Sequence, residues 1–251
     1  MNNSTRLTIL ALLLLTGAAC KKTQEPGDQP ASLGILNAIP GSTSLVTNFA
    51  GTTPITWYLD ANKLFYNQFN LVNIFSISRR EQPLALYNYP DTTASSKPLY
   101  SFQLKLAPGD IRTLFLVGSL SEPDTFMVQD APPYHAVADS SMAIRLANLA
   151  PDNGPVSVTI TGGDYNNQVL ADNLAYKTVT GFIRLPAGSG VINYLVEFKD
   201  QATGTLQAAY TFYNVGTITQ NNSVRSRSFT LGLTGKENVS PLNTVLINHN
   251  P

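Results

Sequence analysis

Hydrophobic and polar residues alternate along most of the chain beyond Ser32. Tyr100, Phe102, Leu104 and Leu106 fall on one side of a pleat, and Ser101, Gln103 and Lys105 on the other. Val156, Val158 and Ile160 repeat the pattern, as do Ile192, Tyr194, Val196 and Phe198, and then Phe229, Leu231 and Leu233. Period two marks a strand with one buried face, and no 3.6-residue period is sustained in this stretch. Turn chemistry separates the runs. In "APGD" (Ala107 to Asp110) Pro and Gly take the two central positions of a type II turn, which joins "YSFQLKL" to "IRTLFLV". About fourteen turn-separated strands predict an all-β sandwich or barrel architecture. A body of about 220 residues holds one large β domain or two immunoglobulin-sized ones.

An internal repeat selects the second option. "LGILNAIPGSTSLVTNFAG" (Leu33 to Gly51) and "IRLANLAPDNGPVSVTITGG" (Ile144 to Gly163) both carry a strand that ends in N-x-x-P. Asn37 and Pro40 thereby align with Asn148 and Pro151, about one sandwich apart. "LAPGDIRTLFLVG" reads as a closing hairpin of the first half and "VRSRSFTLGLTG" as that of the second. "DAPPYHAVADSS" (Asp130 to Ser141) lacks strand character and reads as the connection. The sequence therefore predicts two tandem Ig-like antiparallel β-sandwiches, over 32–130 and 142–251, with a linker over 131–141.

The second half, with "RLANLAPDNGPVSVTI", "RLPAGSGVINYLVEF" and the Gly-ended "FTLGLTG", resembles domain-of-unknown-function family 4397. The resemblance covers Met142 to Pro251 well. In the first half, the strand that the family writes valine-aspartate-valine-tyrosine corresponds either to "SLVTNF" or to "ITWYLD". The second choice implies an insertion around Thr43 to Pro54. The resemblance implies paired Ig-like modules in envelope lipoproteins of Bacteroidota, and it implies no activity.

The amino-terminal segment supplies an address. Leu7 to Ala19 is an apolar run preceded by Arg6, too short for the roughly 20 residues of a spanning helix and right for a secretory signal over 1–19. Gly17-Ala18-Ala19 then lead into Cys20, the one cysteine of the chain. Small residues before a Cys resemble the lipobox of bacterial lipoproteins, with Gly17 where that family usually has Leu. The resemblance implies cleavage before Cys20, acylation of its thiol and amino terminus, and attachment to the outer membrane. The same small residues also suit ordinary signal peptidase, which would leave a free thiol in an oxidising compartment. Residues 20–31, with "KKTQEPGDQPA", are too polar to fold and read as a flexible tether.

Composition narrows the function classes. Lys+Arg and Asp+Glu both number 16, and only 13% of residues are charged. That leaves no basic footprint for nucleic acid. His135 lies in the connection and His249 near the end of the chain, neither in a setting that would hold it as a catalytic base. Nucleophile, zinc-protease and phosphate-loop motifs are missing from the sequence, so no enzyme and no cofactor is expected. Glu122 with Asp124, and Asp164 beside Asn166 and Asn167, read as solvated turn residues rather than a catalytic carboxylate pair. "PDNG" (Pro151 to Gly154) and "GGDYNN" (Gly162 to Asn167) offer oxygen atoms but lack the spaced acidic set of a calcium loop, so no metal is expected.

Two features point to recognition. "ITWYLDANKLFYNQF" (Ile55 to Phe69) gathers Trp57, Tyr58 and Tyr66 beside amides, as a sugar-stacking surface does; alternate aromatics also fill sandwich cores. Thr92 in "PDTTASSKP" fits the Asp-Thr signal for O-glycosylation in Bacteroidota envelope proteins. The expectation is a non-enzymatic, lipid-anchored envelope protein that binds a glycan or an envelope protein or plays a structural part. The alternative is a glycan-binding accessory lipoprotein of a polysaccharide-uptake system.

Overall fold

The computed structural model describes residues 29–51, 61–91, 93, 95–136, 139–191, 193–216 and 224–250. Strands dominate them. The first half holds β1 (Ala31–Asn37), β2 (Ser44–Asn48), β3 (Lys63–Phe65), β4 (Ile74–Ile77), β5 (Glu81–Asn88), β6 (Tyr100–Lys105), β7 (Ile111–Gly118) and β8 (Pro123–Gln129). The second holds β9 (Ser141–Asn148), β10 (Val156–Gly162), β11 (Tyr165–Leu174), β12 (Thr178–Val179), β13 (Ile183–Pro186), β14 (Asn193–Asp200), β15 (Leu206–Tyr213), β16 (Ser228–Lys236) and β17 (Ser240–Asn248). Sheets β4-β1-β7-β8 and β3-β2-β5-β6 face each other in the first half, and sheets β12-β9-β16-β17 and β11-β10-β14-β15 in the second, with β13 also on β9. The architecture is all-β, as the alternation predicts.

Pairing is antiparallel except for one parallel pair in each half, β1 with β7 and β9 with β16. The "APGD" turn forms, with Gly109 at φ 76° and the Asp110 amide donating to the Ala107 carbonyl at 3.1 Å. It does not close a hairpin, however: β6 lies in one sheet and β7 in the other. The closing hairpins are β7–β8 and β16–β17. Because β2 follows β1 into the opposite sheet just as β10 follows β9, "SLVTNF" is the strand equivalent to "VSVTITG".

The N-x-x-P repeat now has a physical reason. Where the chain leaves one sheet for the other, its backbone groups lose their ladder partners, and a buried asparagine replaces them. Asn37 Nδ2 donates to the Leu64 carbonyl at 3.1 Å, and its Oδ1 accepts from the Ile39 amide at 3.2 Å. Asn148 Nδ2 donates to the Leu174 carbonyl at 3.0 Å, and its Oδ1 accepts from the Ala150 amide at 3.3 Å. Both side chains are fully buried, where an unmade hydrogen bond is costly.

Each sandwich has its own core. Leu33, Ile35, Leu84 and Leu116 lie in the first, and Ile144, Val158, Phe198 and Leu231 in the second. A third apolar cluster joins the two. Leu36, Phe115 and Val117 from the outer face of one sheet pack on Ala147, Leu149, Val245 and Ile247 from the outer face of the other. All eight residues of β9 are therefore buried, on both faces. The layers stack four deep, with the β1 and β9 sheets innermost. Each Leu, Val, Ile or Phe withdrawn from water here contributes roughly 1.5–3 kcal/mol.

A polar network closes this seam beside the connection between the halves. Arg145 Nη2 pairs with Asp130 Oδ1, and the two side chains are 4% and 3% exposed. Thr113 Oγ1 donates to the other Asp130 oxygen at 2.7 Å, and Arg145 Nε donates to Thr230 Oγ1 at 2.6 Å. The guanidinium lies over the Phe182 ring at 5.0 Å. Burial pushes the Asp130 carboxyl upward against the pull of Arg145 and Thr113. His249 Nε2 sits 2.7 Å from Thr230 Oγ1, and burial with the nearby Arg145 depresses its pKa from 6.5 to about 3. His135 lies 3.1 Å from both Ser141 and Ser228 hydroxyls. Both histidines are thus firmly held, contrary to the expectation from their positions in the sequence, but by structural partners.

Candidate functional site

Strand direction gives the body two poles. β1 begins at Ala31, the end of β8 at Gln129 pairs with Arg112 near the start of β7, and the end of β17 at Asn248 pairs with Phe229 near the start of β16. The two sandwiches stand side by side in the same sense, so these points share one pole. The opposite pole carries the β1–β2, β7–β8, β9–β10, β14–β15 and β16–β17 turns. Contacts there confirm the alignment of the halves: the Gly118 amide donates to Tyr176 Oη at 3.0 Å, and Lys177 Nζ meets Asp124 Oδ2 at 2.5 Å.

A cleft of about 790 Å³ opens at this second pole. Its walls are three turns of the second sandwich. The β9–β10 turn contributes Pro151, Asp152 and Asn153; the β14–β15 hairpin contributes Asp200, Thr203, Thr205 and Gln207; the β16–β17 hairpin contributes Lys236, Glu237 and Asn238, with Pro241 and Leu242 beside them. Short turns hold these side chains in place. Asp152 and Asn238 sit at φ 62° and 63°, in the left-handed region that Asp and Asn tolerate better than most residues. Asp200 Oδ1 accepts from the Thr203 amide at 2.7 Å, the Thr203 hydroxyl at 2.8 Å and the Ala202 amide at 3.1 Å. The Thr203 hydroxyl foremost, helped by those amides, holds this carboxyl below the usual carboxylate range. Lys236 Nζ pairs with Asp152 Oδ2 at 2.5 Å across the mouth. The Asn153 amide nitrogen is shielded from solvent and has no hydrogen-bond partner in the protein.

A second groove of about 320 Å³ runs over the seam between the halves. Gly118, Ser119, Glu122, Pro123 and Asp124 line it from the first sandwich, and Pro151, Asp152, Tyr176 and Lys236 from the second. It shares Pro151, Asp152 and Lys236 with the main cleft.

This arrangement is rich in amides, hydroxyls and carboxylates, and its polar groups suit hydrogen bonding more than proton transfer. General acid–base work needs a titratable group poised near neutral pH, and Asp200 is fixed as a carboxylate by its own turn. Among the described residues, no group of three or more His, Cys, Asp and Glu side chains is placed to hold a metal ion.

Of the residues singled out in the sequence, Cys20, Trp57, Tyr58 and Thr92 lie outside the described residues. Tyr66 is half-buried at the seam, where its hydroxyl accepts from Ser240 Oγ at 3.2 Å. Glu122 and Asp124 belong to the seam groove. Asp164 stands on the separate β10–β11 turn, and Asn167 there accepts from Lys199 Nζ at 3.2 Å. "PDNG" is one wall of the cleft, whereas Asn153, Gln207 and Glu237 were not singled out individually. Their signal in the sequence is only that of turns, and three turns distant along the chain must meet before a site exists.

No family model matches the sequence, and no curated protein does. Among solved structures, the chain is similar to family 41 carbohydrate-binding modules from streptococcal virulence factors that recognise α-glucan (10% identity, 86% of this chain and 96% of that chain, TM-score 0.27). It is similar also to an α-glucan-binding streptococcal virulence factor (10% identity, 87% and 97%, TM-score 0.28). A third is the multi-modular glycogen-degrading pneumococcal virulence factor SpuA in its product complex (12% identity, 87% and 22%, TM-score 0.26).

Proposed function

We propose that this is a lipid-anchored envelope protein, of the kind gathered in domain-of-unknown-function family 4397, whose paired sandwiches form a non-catalytic body that binds glycan in the polar cleft. The observation that carries the reading is the cleft itself, about 790 Å³ of space at the pole opposite Ala31. Clefts of about 300–1,000 Å³ are the size in which small ligands are usually held. Hydroxyl-rich ligands need many modest donors and acceptors, and Asn153, Gln207, Thr205 and Asn238 provide them.

The anchor and the cleft fit one another. With Cys20 acylated and residues 20–31 as tether, the pole at Ala31 faces the membrane and the cleft faces away from it. An acyl chain contributes about 0.8 kcal/mol per buried CH₂, and two or more chains hold a protein at a membrane durably. A glycan-capturing lipoprotein of this geometry would serve a polysaccharide-uptake system.

The test has two arms. Full-length protein should partition into detergent and stay with membranes in high salt, and Cys20→Ala should release it or leave an uncleaved precursor. On an immobilised-glycan array, the protein should retain ligands that Asn153→Ala and Glu237→Ala lose without a change in melting temperature. No retention of any glycan would overturn the reading.

A further inference from the structure

We infer that the ligand is an extended, uncharged glycan chain lying across the seam between the two sandwiches, an inference that rests on the cleft being a glycan site. Its first ground is continuity. The main cleft and the seam groove share Pro151, Asp152 and Lys236, so the two spaces adjoin and a chain long enough to pass the Lys236–Asp152 pair reaches both. Each space, about 790 and about 320 Å³, is enough for a small ligand on its own, and only a longer chain uses both. Along the seam groove that chain meets Ser119 and Glu122 from one sandwich and the half-buried Tyr176 from the other. The Gly118 amide fixes the Tyr176 hydroxyl, so the ring is preorganised as an apolar contact for the carbon–hydrogen face of a sugar.

The second ground is charge. Five carboxylates border the two spaces: Glu122, Asp124, Asp152, Asp200 and Glu237. Lys236 and Lys177 are both engaged already, with Asp152 and Asp124 at 2.5 Å. An anionic chain would therefore meet like charge along its whole path, and like-charge juxtaposition opposes binding. Neutral hydroxyls and N-acetyl groups meet no such penalty and can both donate and accept.

The seam supplies the third ground. A path built from two domains keeps its shape only if the domains are locked together. Phe115, Leu149 and Ile247 lock them, with the buried Arg145–Asp130 pair at the other end of the same interface.

The experiment is calorimetric titration of the detergent-solubilised full-length lipoprotein with two oligomer series, each from disaccharide to hexasaccharide. One series comprises neutral hexose and N-acetylhexosamine oligomers and the other uronic-acid oligomers. Affinity for a neutral hexasaccharide should exceed that for its disaccharide by about tenfold or more, with uronic oligomers weaker throughout. Ser119→Trp, on the exposed hairpin and outside the main cleft, should abolish the gain with length and leave disaccharide binding unchanged. Equal affinity for all lengths, or a length gain that survives Ser119→Trp, would overturn the seam path while the cleft reading stands. Preference for the uronic series would overturn the uncharged assignment alone. Binding of no oligomer in either series would remove the cleft reading and this inference with it.

Discussion

Two ion pairs bracket this molecule, and they do opposite things. Arg145–Asp130 is 4% and 3% exposed, and its hydrogen-bond partners Thr113 and Thr230 come from different sandwiches. Lys236–Asp152 is 30% and 69% exposed and stands at the mouth of the cleft. In the first, every charge is committed and desolvated, so it makes the geometry of the interface specific. In the second, water screens the charges, and the pair contributes little to stability. The protein places its costly polar chemistry inside the seam and its inexpensive polar chemistry at the rim of the cleft.

Breaking the buried pair is the largest effect expected. Arg145→Ala or Asp130→Ala strands the partner charge and should destabilise the protein by about 3–5 kcal/mol in urea unfolding. The double change Arg145→Met with Asp130→Leu, which removes both charges, should recover most of that loss. Acid should loosen the same region through His249. Its folded pKa is depressed to about 3 from 6.5, so the unfolded chain binds the proton more readily. Its contribution is therefore complete above about pH 6.5 and is lost as pH falls toward 3, a few kcal/mol in all. His249→Gln should flatten the pH dependence of urea midpoints over that window relative to wild type, since Asp130 is common to both proteins.

The repeat asparagines come next. Asn37→Ala and Asn148→Ala each leave a buried carbonyl and a buried amide unpaired, at about 1–3 kcal/mol. Their effects should be similar, because the two residues do the same work in equivalent crossings. Smallest is the exposed pair: Lys236→Ala should change stability by about 1 kcal/mol or less, measured in the same urea experiment. A large loss there would erase the contrast between the two ends.

How much of this was legible follows from where each residue points. Inward residues such as Tyr194, Val196 and Phe198 alternate cleanly, and the strand pattern showed them. The seam was hidden because the outward positions of β9 and β16 hold Ala143, Arg145, Ala147, Thr230, Gly232 and Thr234. Small and polar residues there read as a solvated face. Gly232 is small because a Cβ would stand 3.0 Å from Leu149 Cδ1, and nothing local in the sequence announces a neighbour from another strand. The asparagine repeat was visible as a repeat, but its burial was not. "APGD" was a turn, yet turn chemistry alone does not say whether the next strand stays in the same sheet. The aromatic segment around Trp57 read as either a sugar-stacking surface or core filling, and Trp57 and Tyr58 lie outside the described residues; the cleft is made of turns whose lining carries no aromatic residue.

The seam makes two sandwiches into one body that presents the cleft. Native-state hydrogen exchange tests it most directly, because it reads the opening free energy of each strand separately. Amides of β1, β7, β9 and β16 should exchange with one shared free energy equal to that of global unfolding, while the turns around Asn153, Thr203 and Asn238 exchange by local opening. Exchange of β1 and β7 at a free energy well below that of β9 and β16 would contradict it, since the halves would then open independently.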